Sequence, residues 1–125
     1  MEIRLKPQSC KAKGRRLQQW LCEQLSRISG IPWGPEDDKL IQSRPMAQRG
    51  VDAVLRGEAA VWFPFSFECK SGESFQLVAS IEQARENAKI GRPWVIVHRR
   101  QAFAEPMVMM DWSTFENLLD KPKIT

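Results

Sequence analysis

The stretch Phe63-Pro64-Phe65-Ser66-Phe67-Glu68-Cys69-Lys70, FPFSFECK, carries three aromatic side chains at alternate positions and then two charges, also two residues apart. A period of two is the pattern of a strand, which sends Phe63, Phe65 and Phe67 to one face and Ser66, Glu68 and Lys70 to the other. The aromatic face anchors the strand, and Glu68 and Lys70 then project from a rigid platform about 7 Å apart. Pro64 offers no amide hydrogen to a ladder, so the strand is expected to be irregular or at an edge near that residue. The whole strand is predicted over VWFPFSFECK, residues 61–70.

Upstream, VDAVL (51–55) has the β-branched, alternating character of a strand, and RGE (56–58) reads as the turn between the two. From Lys11 to about Ser29, Leu17, Trp20, Leu21, Gln24, Leu25 and Ile28 follow the spacing of one helical face, stopped by Gly30 and Pro32. GIPWGPEDDK (30–39) reads as a loop, followed by the basic segment QSRPMAQRG (42–50). Downstream, residues 74–90 form a second helix ended by Gly91 and Pro93, PWVIVH (93–98) a buried strand, and PMVMM (106–110) another. Ser113 and Glu116 make a capping box for a last helix, STFENLLD (113–120), before the tail KPKIT. The order is helix, strand, strand, helix, strand, strand, helix. It predicts one α/β domain, a mixed central sheet flanked by helices.

Composition agrees with one domain: 125 residues, 42% of them hydrophobic, suffice for a core without staples. Cys10, Cys22 and Cys69 are odd in number with no CxxC spacing, and His98 is the single histidine, so a zinc site or a disulfide frame is not expected. No apolar run approaches the roughly 20 residues of a bilayer span, and no signal-peptide pattern follows the charged N-terminus. The expectation is a soluble, cytoplasmic protein with no membrane partner. Residues 1–27 hold Arg4, Lys6, Lys11, Lys13, Arg15, Arg16 and Arg27 against Glu2 and Glu23, although the whole chain carries only +4. That asymmetry points to a polyanionic partner, or to a solvated basic face.

Glu68 and Lys70 carry more than solubility if a second carboxylate joins them. A hairpin of the two strands brings Asp52 alongside Glu68, and two carboxylates at close range repel unless a cation lies between them. Hard oxygen ligands with open positions suit Mg²⁺ or Mn²⁺, and a lysine beside the metal can stabilise charge on a phosphodiester under attack. Glu-x-Lys alone is a common tripeptide. Asp37-Asp38-Lys39 forms a competing D-x-K on a loop, where no strand holds the side chains.

With Asp52 in RGVD, Glu68 and Lys70 in FECK, the first helix KAKGRRLQQWL and the second helix EQARENA, the chain from Lys11 to about Leu119 resembles the PD-(D/E)XK nuclease superfamily, in particular small Holliday junction resolvases and phage nucleases of that fold. The resemblance implies a restriction-endonuclease-like sandwich and a Mg²⁺-dependent endonuclease acting on DNA, branched DNA included. It assigns the metal to Asp52, Glu68 and the Cys69 backbone, and catalytic assistance to Lys70. It would place the protein in a host cytoplasm if phage-encoded. Symmetric cutting of a junction needs two active sites and so implies a homodimer.

Many relatives carry a glutamate on the first helix. Here Gln18 lies about 100° from Leu17, at the edge of the apolar stripe, while Glu23 lies about 240° round and faces solvent. Gln18 is therefore the candidate, an amide in place of the usual acid. On the second helix Gln76, Ser80, Gln83 and Asn87 make an uncharged polar stripe beside an apolar face of Leu77, Ile81, Ala84 and Ala88. Gln83 is the counterpart of a site glutamine in related nucleases. Lys11, Lys13, Arg15, Arg16, Arg44 and Arg49 are candidate phosphate contacts. The five tryptophans read as core anchors. Two alternatives stay open, a non-catalytic basic DNA-binding protein of the same fold and an RNA-binding or assembly protein whose Glu-x-Lys is accidental.

Overall fold

A computed structural model describes residues 7–44, 50–73 and 76–120, with side chains from residue 12 onward. Helix α1 (Pro7–Ser29) is followed by β1 (Trp33–Gly34), β2 (Ile41–Ser43), β3 (Ala53–Leu55), α2 (Gly57–Trp62) and β4 (Ser66–Ser71). Then come α3 (Leu77–Asn87), β5 (Trp94–Arg99), β6 (Met107–Met109) and α4 (Trp112–Leu119). The chain is α/β. The single central sheet expected from the sequence is instead two mixed three-stranded sheets, ordered β1-β2-β3 and β4-β5-β6.

Alternation along β5 shows how the layers stack. Val95 and Val97 belong to a core built with Leu17, Leu21, Cys22 and Leu25 of α1. Trp94 and Ile96 belong to another, built with Ala84 of α3. Neighbouring residues of a strand face opposite sides, so α1 and α3 cover opposite faces of the same sheet. α1 ends where Gly30 takes φ +79 and its amide donates to the Ser26 carbonyl at 2.7 Å, a turn glycine makes without strain.

Three elements depart from the sequence reading. The segment expected to be a loop, residues 30–39, contains β1, which pairs in parallel with β2 through Trp33↔Ile41; β2, antiparallel to β3, lies just beyond it, where no strand was expected. Two polar side chains hold it in shape. Gln42 Nε2 donates to the Pro35 carbonyl and to Asp37 Oδ1, and Arg56 donates to the Lys39 carbonyl and to Gln42 Oε1. Asp37 of the competing D-x-K is thus engaged in holding that loop.

The expected turn RGE and the first residues of the long strand are α2. Its last carbonyls are capped from outside the segment, where Arg92 donates to the Ala60 carbonyl at 3.0 Å and to that of Phe63. Pro64 then ends the helix, and the strand starts at Ser66. Phe63 is therefore a helix-end residue, not part of an aromatic strand face. Glu68 is the third residue of six in β4, and its face is covered rather than open. The last helix is capped by Asp111, whose carbonyl accepts the Thr114 amide, and not by a Ser113 capping box.

Candidate active site

The site lies where the two sheets meet. No ladder joins β3 to β4, but the Asp52 amide donates to the Phe67 carbonyl at 2.9 Å. Asp52 Oδ2 accepts the Cys69 amide at 2.6 Å, and its Oδ1 accepts Gln18 Nε2 from α1 at 2.7 Å. One residue thus stitches α1, the end of β3 and β4 together. It does so through its carboxylate as well as its backbone.

On the α3 side of β4, every second side chain meets a polar partner. Ser66 Oγ accepts the Lys89 amide. Asn87 Nδ2 donates to Glu68 Oε2 at 3.4 Å. Lys70 Nζ donates to Gln83 Oε1 and lies 3.9 Å from Glu68 Oε1. The uncharged stripe of α3 therefore faces the β4 carboxylate. Ser80 of that stripe is buried, while Leu77, expected on the apolar face, is largely exposed. Asn87, which the spacing of the stripe does not distinguish from its neighbours, is the contact of Glu68.

Glu68 is only 6% exposed. Burial first, and then the Asp52 charge, push its carboxyl up to about 7, against the lowering pull of Asn87 and Lys70. Asp52 is also raised, by burial, despite its two hydrogen bonds and the charges of Lys70 and Arg44. Two carboxylates in a dry place with too little compensating charge form a donor set that fits a hard divalent cation. Among the described residues no group of three His, Cys, Asp or Glu side chains could share such an ion. Two carboxylates still suffice for Mg²⁺, which keeps several waters and takes further oxygens from a phosphate. The Cys69 carbonyl shares an edge of β4 with the Cys69 amide, the edge facing Asp52. The thiols contribute no charge: burial first, and then Asp52, raise Cys22 to about 12 and Cys69 well above its ordinary value.

The phosphate candidates divide. Arg15 and Arg16 are exposed on α1, and Lys13 is half-buried. Arg15 is one turn before Gln18, so it rides the same side of the helix, whereas Arg16 is about 160° from Gln18. Arg44 Nε donates to the Val51 carbonyl, and Gly50 (φ +115) gives its guanidinium room, since a Cβ there would lie 3.2 Å from it. The Lys11 side chain and Arg49 lie outside the described residues. Glu23 is exposed, and His98, paired in register with Lys70, donates from Nε2 to the Gly72 carbonyl. Only Trp94 of the tryptophans is fully buried; Trp62 and Trp112 are exposed rather than core anchors.

Compared with known proteins, the chain matches no family model, no curated protein and no solved structure.

Proposed function

We propose that the chain is a divalent-metal-dependent endodeoxyribonuclease with a restriction-endonuclease-like sandwich, acting in the cytoplasm on DNA, with branched DNA such as a four-way junction as its favoured substrate. The observation that carries this reading is that Asp52 is bound to the Cys69 amide of β4, the residue between Glu68 and Lys70, whose side chains lie 3.9 Å apart. A bound Mg²⁺ or Mn²⁺ would supply Lewis-acid stabilisation and a water of lowered pKa.

The chain's own groups do the rest. Asp52, clamped by Gln18 and the Cys69 amide, offers its remaining lone pairs in a fixed direction. Glu68 is buried, so a charge placed beside it is felt strongly. Lys70 is steadied by Gln83 and 26% exposed, which keeps its ammonium within reach of a phosphate whose oxygens gain charge in the transition state. Arg15, Arg44 and the other candidate cations are assigned to flanking phosphates, which position the strand without reading its sequence.

Single-turnover cleavage of a four-way junction, a duplex and a single strand tests the proposal. Mg²⁺ or Mn²⁺ should support cutting, and Ca²⁺ should support binding with little turnover. Lys70→Ala should lose at least about a hundredfold in rate, the scale of one preorganised stabilising group, with melting temperature and DNA affinity kept. Equal cleavage in EDTA, or normal cleavage by Lys70→Ala, would overturn it.

A further inference from the structure

The turn that follows β5 carries an aromatic ring that the core does not use. Residues 101–105 are all exposed, and Phe103 among them is 44% exposed. On a slack loop such a ring would mean little, but this one is fastened. The Phe103 amide donates to the Arg100 carbonyl at 3.0 Å, and the Arg100 guanidinium carbon lies 5.8 Å from the centre of the Phe103 ring. Arg100 is in turn held by Glu73, whose carboxylate accepts Arg100 Nε at 3.3 Å and the Gln101 amide at 2.8 Å. The Gly72 amide donates to the Arg99 carbonyl at 3.1 Å. These last three bonds all run to Gly72 and Glu73, which leave β4 directly after Lys70 and Ser71.

Register places the ring near the candidate site. Lys70 pairs with His98, so Arg100 stands two residues, about 7 Å, past the level of Lys70, and a turn of less than about 7 Å separates Arg100 from Phe103. The ring therefore lies within about 15 Å of the level of Lys70, or about four base steps along a nucleic-acid strand. The charges around it are mixed. Arg99 is exposed and makes no ion pair among the described residues, Arg100 is paired with Glu73, and Glu105 is exposed in the same turn. A plain duplex, which keeps its bases stacked inside and shows phosphate outside, gains little from such a turn. An unpaired base gains a π-face, since a ring steadied by a cation stacks on any base whatever its identity. Arg99 beside it suits the phosphate of the same strand.

We infer that Phe103, braced by Arg100 and Glu73, is a stacking platform for an unpaired nucleobase of the DNA, a few nucleotides from the bond that is cut. This rests on the nuclease reading of the neighbouring site and supplies the residue that tells frayed or branched DNA from a plain duplex.

Fluorescence anisotropy in Ca²⁺, on a labelled duplex and on the same duplex with one unpaired arm, tests it without cleavage. The wild type should bind the armed duplex more tightly. Phe103→Ala should weaken that complex by about fivefold to a hundredfold, the scale of one base–aromatic stack, and leave the plain duplex within about twofold. Its salt slope should not change, because no phosphate contact is lost. Phe103→Trp should keep the preference, and Trp62→Ala, at an exposed ring before β4 rather than after it, should not disturb it. Position 103 is open to water, so a melting curve should show Phe103→Ala folded; if it unfolds, Phe103→Leu, which keeps apolar bulk without a π-face, takes its place. A wild type that binds both DNAs equally or binds neither, a Phe103→Ala protein with the wild-type preference, or a loss seen only in the salt slope would overturn the stacking platform. A preference that depends on Phe103 in a protein that never cuts DNA would uphold it while removing the nuclease reading.

Discussion

At the scale of single residues, Glu68 and Asp52 show why a carboxylate can be costly to the fold that holds it. The Glu68 carboxyl sits at about 7 in the folded chain against an ordinary 4.5, so the folded state binds more protons than the unfolded state between those values. Its contribution to stability is therefore fully present below about pH 4.5 and is lost as pH rises through about 7. In EDTA, Glu68→Gln should melt above the wild type at pH 8, by the equivalent of up to about 3 kcal/mol, and the gap should close toward pH 5. Parallel melting-temperature curves for the two proteins would show that Glu68 is not held in this state. Much of this residue-level picture was legible beforehand. Gln18 rather than Glu23 followed from one helical angle, and Gln83 from the resemblance, since the polar stripe alone did not distinguish it from Gln76, Ser80 and Asn87. The burial of Glu68 was not legible, because alternation along β4 says which face a side chain takes and not that α3 will cover that face.

The long elements were legible, and so were the short strands β3 and β6. α1, α3 and β5 carry a periodic pattern over six residues or more, and each was expected within a few residues of its place. β1, β2 and α2 are two to six residues long and are held by partners distant in sequence. Gln42 and Arg56 shape the first two, and Arg92 caps the third from 30 residues downstream of Trp62. Local composition records none of those bonds. The junction of β3 and β4 is a further case, since the two strands share no ladder and depend on Asp52 at their meeting point. Asp52→Ala should leave the Cys69 amide and the Gln18 amide without their acceptor and cost about 1–3 kcal/mol by chemical denaturation. Asp52→Asn keeps an acceptor for Cys69 and should cost much less, while abolishing metal-dependent cleavage as fully as Ala. Equal destabilisation by the two substitutions would mean that the carboxylate does not stitch the elements.

For the whole molecule, charge is sorted along the chain, and the fold gives that sorting a direction. Residues 1–27 carry seven basic side chains against two acidic, whereas residues 101–120 carry four acidic and none basic. α1, which holds exposed Arg15 and Arg16, is also the helix that delivers Gln18 to Asp52. Phosphates should therefore track α1. Because Arg15 follows the Gln18 side of the helix and Arg16 turns away, Arg15→Ala should reduce the dependence of log affinity on log salt by about 0.9, the value for one duplex phosphate contact. Arg16→Ala should reduce it by less. Glu105→Gln and Glu116→Gln should leave that slope unchanged while altering only the overall affinity slightly through net charge. Fluorescence anisotropy of a labelled duplex in Ca²⁺, titrated with salt, measures all four slopes without cleavage. If the Arg15 variant keeps the wild-type slope, the DNA does not run along this face of α1, and the path must be sought from Arg44 outward.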